Sequence, residues 1–508
     1  MSEEEKSIST QPDSTTSTSS YRSIFKATSL FGGVQVFLII IQIIRSKIIA
    51  ALLGPTGFGI QGLFTSATLF VRSLSSMGLS QSAVKDVSEA TSSGEKEKAE
   101  YILGVVNKLV IYTGLLGLII VAVFSPILSK TSFGNYEYVL SFVLLSTTLL
   151  FDQLYDGKRV ILQGTRQLKK LAKVSIYSAT GALILTIPLY YFFGVDGIVP
   201  ALIANSILAY LIICKLSKST DYSVSKVKFK EALKSGGTIL KMGIAMSFSG
   251  IFSTACAYLL RSYIRYIDGT EAVGLYMAGF VIINTYVGLV FSAITTDFYP
   301  RLASVSRDNS KSCDVINSQG ELGIIILGPL LSICVLIMPL LIKILYTSEF
   351  MPAYDFILLA TVGMIFRLVS VLIAFLFIVK GSTKLYICNE LVTGVYMLAL
   401  NVIGYKLGGL TGLGLSYTIG YLLYIMQVYY LTNRRYSYHF TKQYMMIILK
   451  YSLLIIISIM LLMLIATTYS RIIGGLICII SLLFAYKDLN ERIQLKEVLV
   501  SYLKKNRK

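Results

Sequence analysis

Long apolar runs separated by short polar breaks dominate the chain, and the runs at 31–44, 109–124 and 322–341 are almost free of charge. A helix needs about 20 apolar residues to cross roughly 30 Å of hydrocarbon. Backbone groups in lipid must be satisfied within the segment, so each run predicts a helix. Fourteen spans follow, at about 29–53, 57–80, 102–127, 137–155, 172–193, 196–214, 237–262, 272–298, 320–345, 353–379, 384–405, 411–431, 446–467 and 470–486. Alternation with period two, as in outer-membrane strands, is absent. The pattern predicts an all-α integral membrane protein.

The loops then orient it. Lys and Arg gather in alternate connections, above all 158–173, 215–234 and the end of the chain, while the opposite loops keep only Lys130, Lys343, Lys406 and Arg471. By the positive-inside rule both termini are cytoplasmic. Residues 1–20, acidic and then Ser/Thr-rich, read as a disordered tail rather than a signal peptide.

Composition changes the picture little. Hydrophobic residues make up 55% and charged ones 14%, with mean hydropathy +0.71, well below the quarter charged of a soluble domain. The net charge of +19 would suggest nucleic acid in a soluble protein; here loop bias accounts for it, and no nucleic-acid partner is expected. Cys214, Cys256, Cys313, Cys334, Cys388 and Cys478 lie far apart without metal-ligand spacing, and His439 reads as a solvated interfacial residue. No metal, cofactor or catalytic residue is indicated. The 34 tyrosines, against no tryptophan, suit interfacial belts and also stacking on sugar faces.

Self-comparison shows an internal repeat. Ile44-Arg45-Ser46-Lys47 matches Leu260-Arg261-Ser262-Tyr263 at an offset of 216, and Gly54 and Gly59 match Gly269 and Gly274 at 215. Gln163-Gly164-Thr165 aligns with Lys380-Gly381-Ser382 at 217, and Gly194-x-x-Gly197 with Gly409-x-x-Gly412 at 215. Spans 1–6 therefore repeat as 7–12, in the same orientation because six is even. The domain plan is a tail (1–25), a six-helix bundle (26–215), a basic linker (216–236), a second six-helix bundle (237–432), helices 13–14 (433–487) and a basic tail (488–508). Two parallel bundles enclose a central cavity that rocking exposes alternately to each side, which is a carrier architecture.

Ionisable residues at membrane depth cost several kcal/mol and mark function or snorkel to the interface. The candidates are Arg45, Arg72, Arg261, Arg265 and Arg367, with Lys47, Gln42 and Tyr258 secondary. At 100° per residue, Ser247, Thr254, Tyr258, Arg261 and Arg265 share one stripe, as do Thr65, Thr68, Arg72 and Ser76. Such stripes are expected to face water or substrate, with Arg45 and Arg261 forming a cationic pair across one cavity. Asp297 suits a helix-end cap as well as ion coupling. Asp152 is placed at the inner interface, and Glu390, aligned with Lys173, suits a rim salt bridge or coupling. A cationic cavity suits phosphate or diphosphate, whose oxygens match arginine's planar fork.

Arg45-x-Lys47 followed by Leu53-Gly54-Pro55-x-Gly57-x-Gly59, then Met77-Gly78-Leu79, Phe298-Tyr299-Pro300-Arg301-Leu302 and Val379-Lys380-Gly381, resembles the multidrug/oligosaccharidyl-lipid/polysaccharide exporter superfamily, specifically Wzx-type O-antigen flippases of its polysaccharide-transporter branch, over most of residues 25–432. The resemblance implies a flippase of the bacterial cytoplasmic (inner) membrane that moves undecaprenyl-diphosphate-linked oligosaccharide to the periplasmic leaflet by alternating access. It also implies a coupling cation (H+ or Na+) or membrane potential, with Asp297 and Glu390 as possible coupling residues, and polysaccharide polymerase machinery as a partner beside membrane lipid. By position it carries diphosphate or acidic-sugar contacts to Arg45, Arg72 and Arg261. Spans 13 and 14 depart from the twelve-span pattern and resemble lipid II-type flippases. A multidrug or small-molecule cation antiporter of the same superfamily is the other reading, disfavoured because its deep charges would be carboxylates. A membrane glycosyltransferase or polymerase would need larger outside loops.

Overall fold

The computed structural model describes residues 14–92, 95–218, 225, 227–464 and 468–493. Most of the expected N-terminal tail, the centre of the basic linker and most of the C-terminal tail lie outside them. Among the described residues every regular element is helical. Among the described residues ten stretches are long and apolar enough to cross a membrane, and Gly33–Ser75, Leu168–Ser217, Met246–Thr285 and Thr383–Tyr436 each contain two helical arms that meet at a glycine turn. Counting the arms gives fourteen spans among these residues, and the protein is a multi-pass membrane protein.

Glycine makes the reversals. Helix α1 (Ser14–Ser75) turns at Gly54 (φ 62°, ψ −172°) and α7 (Phe229–Val281) at Gly269 (φ 80°, ψ −173°). This left-handed region costs a side chain 1–2 kcal/mol or so and costs glycine nothing. Each turn folds two spans back to back without a loop. The same device recurs between α5 (Leu168–Phe193) and α6 (Ile198–Ser217), at Gly194 (φ 54°), and inside α11 (Thr383–Tyr436), at Gly409 (φ 55°). Both pairs of turns are 215 residues apart.

A third pair corrects the alignment proposed from sequence. Arg166 (φ 55°) and Gly381 (φ 68°) both adopt the left-handed turn after a helix. Around them the bonds from Thr165, Arg166 and Gln167 to Ile161, Gln163 and Leu162 repeat from Lys380, Gly381 and Ser382 to Leu376, Ile378 and Phe377. The register is thus 215 here too, not 217. An arginine stands where glycine would be expected, which hid the match. In this register Glu390 aligns with Ser175, not Lys173.

The remaining helices are α2 (Leu79–Ser92), α3 (Lys96–Phe133), α4 (Val139–Gly164), α8 (Gly288–Ser304), α9 (Asn309–Leu345), α10 (Tyr354–Val379), α12 (Lys442–Leu464) and α13 (Thr468–Ile493). Helix α8 continues the second arm of α7 through a π-turn, Ile282–Tyr286. The sequence had placed α2 in a loop; it is too short to span, and buries Leu79, Ala83, Val87 and Ala90 on one face. Helices α12 and α13 dock on α9, where Gly320 and Gly328 admit the rings of Tyr444 and Tyr451. Arg492 pairs with Glu321 at 2.9 Å and Lys450 with Asp488 at that seam.

The two halves meet along α1 and α7. A Cβ on Gly59 would lie 1.9 Å from the Thr270 carbonyl, and one on Gly274 would lie 1.9 Å from the Pro55 carbonyl. These are the same contact made in both directions. Two cations close this end further, again reciprocally. Lys47 of α1 donates to the Lys343 carbonyl at 2.6 Å and to the Tyr346 carbonyl, at the end of α9. Arg265 of α7 donates to the carbonyls of Ser132 (2.8 Å), Thr131 (2.9 Å) and Lys130 (3.2 Å), at the end of α3. Cations at helix C-termini satisfy orphan carbonyls and the negative end of the dipole.

Candidate functional site: two equivalent cavities

Each half holds a cavity, and the repeat relates the two. The first, about 510 Å³, is lined by α1, α5, α6 and Met277 and Val281 of α7. The second, about 400 Å³, is lined by α7, α10 and α11. Leu38, Ile41, Gln42, Arg45, Gln61 and Thr65 line the first; exactly 215 positions on, Ser253, Cys256, Ala257, Leu260, Tyr276 and Phe280 line the second. Ala179 and Leu202 pair likewise with Gly394 and Tyr417. The second arm of α7 is the shared wall: Met277 and Val281 face one cavity, Tyr276 and Phe280 the other.

The linings have diverged. Among the described residues the first cavity presents Arg45, Gln42, Ser46, Gln61 and Thr65 and no carboxylate. The Arg45 Nε is buried without a hydrogen-bond partner. A buried donor without a partner is costly, and this one belongs to a side chain that lines the cavity. In the second cavity the position of Arg45 is Leu260, and the cation is Arg367, where the first half has Asp152. Arg367 donates to Asn284 and, at 3.4 Å, to the Tyr417 hydroxyl. Its guanidinium lies 5.4 Å from the Phe291 ring centre and 5.8 Å from that of Tyr421. Glu390 lines the same cavity and accepts from the Tyr424 hydroxyl at 2.6 Å and from Asn389 at 3.3 Å.

The other residues singled out from sequence are placed as follows. Arg72 is neutralised: it pairs with Asp152 at 3.0 Å and Asp156 at 2.6 Å on α4, so both carboxylates are its partners within the protein. Arg261 lines neither cavity; its Nε has no partner and its guanidinium lies 5.9 Å from the Phe280 ring. Arg45 and Arg261 are therefore not brought together as a pair. Gly54 is nine residues after Arg45, whereas Gly269 is eight after Arg261, and one residue rotates a helical side chain by 100°. The polar stripe of α7 faces protein: Ser247 bonds Gln81 (3.2 Å), Thr254 bonds Ser73 (2.8 Å), and Tyr258 bonds Thr131 (2.5 Å) and Ser132 (2.9 Å). Lys47 and Arg265 are helix caps. Asp297 is exposed and pairs with Arg301 one turn on, at 3.3 Å.

Sequence reasoning missed the tyrosines Tyr276, Tyr417, Tyr421 and Tyr424 as cavity residues; the 215 register applied position by position finds Tyr276 and Tyr417. Among the described residues no group of three or more His, Cys, Asp or Glu could hold a metal ion.

A family model described as polysaccharide biosynthesis protein matches residues 48–355. No curated protein matches the sequence significantly. Among solved structures, the chain is similar to an inward-facing multidrug resistance MATE family transporter of the MOP superfamily (15% identity, 79% of this chain and 94% of that one, TM-score 0.68). It is also similar to the lipid II flippase MurJ in an inward closed conformation (15% identity, 92% and 99%, TM-score 0.63). An outward-facing MATE family transporter gives 15% identity, 80% and 93% coverage, and a TM-score of 0.55. These likenesses show the fold.

Proposed function

The chain belongs to the polysaccharide biosynthesis protein family, and from that premise we propose that it is a flippase for a polyprenyl-diphosphate-linked oligosaccharide, moving the glycan head across the cytoplasmic membrane while the lipid tail stays in the bilayer. The observation that carries the reading is Arg45. It is a half-buried guanidinium whose Nε is buried and unpartnered, in a cavity whose described lining is mostly apolar and holds no carboxylate, and a diphosphate supplies an acceptor it lacks. The reciprocal caps and glycine contacts shut the Gly54/Gly269 end. With the termini in the cytoplasm, this is the outward end, and the chain is in an inward-facing arrangement. The higher TM-score against the inward-facing transporter, 0.68 against 0.55, supports that assignment. An inside-negative potential of 100 mV favours outward transfer of each negative charge by about 2.3 kcal/mol.

The antiporter reading needs a carboxylate available to a cationic cargo. The deep carboxylates here already answer arginines: Asp152 and Asp156 hold Arg72, and Glu390 shares its cavity with the cation Arg367. Expression in a bacterium lacking its own O-antigen flippase tests the proposal. The wild type is expected to restore surface polysaccharide and Arg45→Gln, at equal expression, to lose it. Restoration by both would overturn the role of Arg45.

A further inference from the structure

We propose that the second cavity is a binding site for an uncharged pyranose, so that the two copies of one ancestral cavity divide a single substrate between them: phosphate in the first, sugar in the second. The inference rests on the flippase reading for the phosphate half and on the cavity's own chemistry for the sugar half.

Three observations carry it. First, the cavities correspond at eight lining positions, so the fold builds these walls of both in the same way, and α10 adds a wall to the second alone. Second, four positions bring aromatic rings into the second cavity. Gln61, Thr65 and Leu202 of the first cavity correspond to Tyr276, Phe280 and Tyr417 of the second, and Ser206, one turn beyond Leu202, to Tyr421. A pyranose presents C–H groups on one face, which aromatic faces cover, and hydroxyls around its edge. Third, the charge is balanced in kind: the lining holds one cation, Arg367, and one anion, Glu390. Arg367 is already held by Asn284, Tyr417 and two aromatic faces. Glu390 retains acceptor capacity beyond Tyr424 and Asn389, and a carboxylate takes two hydroxyl donors of a diol. The first cavity has the opposite balance, a cation with no anion, and no aromatic residue but Phe58.

The chain contains no tryptophan, so Tyr421→Trp creates a sole indole inside the cavity, and Phe375→Trp supplies a second reporter in the same lining. The full-length variants in lipid nanodiscs are titrated with methyl α-D-glucopyranoside, N-acetylglucosamine, sodium glucuronate and sodium pyrophosphate. The expected result is a saturable change in indole emission with the two neutral sugars in the millimolar range and none with pyrophosphate. Adding Glu390→Gln is expected to weaken the sugar response at least fivefold. Absence of a neutral-sugar response from both reporters overturns the site. So does a response to glucuronate at least tenfold tighter than to the neutral sugars, which would make Arg367 a carboxylate receptor. The complementation experiment fails separately: sugar binding without restored polysaccharide keeps the site and removes the flippase reading, whereas loss through Arg45→Gln without sugar binding does the reverse.

Discussion

The two halves share their turns, their register and eight cavity-lining positions, yet treat charge in opposite ways. The first half leaves Arg45 unpaired in its cavity and answers its other deep cation, Arg72, with two carboxylates. The second half has no arginine at the position of Arg45, and surrounds Arg367 with an amide, a hydroxyl and aromatic faces. At the position of Arg367 the first half carries Asp152. Backbone geometry thus persists through inversion of a half-buried charge, because the turns depend on glycine and close helix contact while such a side chain answers only to its own neighbours.

The largest effect is expected where charge compensation is strongest. Arg72→Ala leaves Asp152 and Asp156 without their cation and is expected to cost about 3 kcal/mol, read as a lower melting temperature in detergent. Combining it with Asp152→Asn and Asp156→Asn should recover most of the loss; no recovery would mean that packing, not charge, explains the triad. Next comes the contrast between cavities. Arg45→Gln should cut flipping in proteoliposomes by about 10- to 150-fold, the value of a charge-assisted hydrogen bond of roughly 1.5–3 kcal/mol. Arg261→Gln, at the arginine that matches Arg45 in sequence but lines neither cavity, should change it little. Equal losses would show that losing an arginine, not its place in the cavity, explains the effect.

The reciprocal glycine contact predicts equality instead. Gly59→Ala and Gly274→Ala each push a methyl onto a carbonyl and should each disfavour closure of this end by about 1–3 kcal/mol, measured as faster labelling of a cysteine introduced at Thr65. A difference of more than tenfold between them would break the symmetry. The smallest effect belongs to the caps: Lys47→Ala and Arg265→Ala should each shift the same labelling by only ~0.3–1 kcal/mol, with Arg265 the larger because it serves three carbonyls.

Much of the fold was legible in the sequence. Apolar length located the spans, and Gly54, Gly269, Gly194 and Gly409 marked the repeat because their left-handed turns tie glycine to a position. The site was less legible. Arg45 and Arg261 match as letters, but a one-residue slip relative to the turn sends them to different surroundings. The neutralisation of Arg72 depends on α4, 80 residues away in Asp152, and helical periodicity says nothing about which neighbour a polar stripe will meet. That is why the stripe of α7, expected to face water, is instead the seam with the first half. Lys47 and Arg265 look like cavity cations in sequence because a carbonyl at a helix end has no signature in residue type.

The paired glycine contact has one more consequence. Gly59 against Thr270 and Gly274 against Pro55 is an isologous arrangement, the kind two identical subunits make across a two-fold axis. In a homodimer every substitution is made twice, so an arginine in one cavity would also stand in the other. Joining both copies in one polypeptide removes that constraint: each cavity can change its chemistry alone while the axis between them stays symmetric.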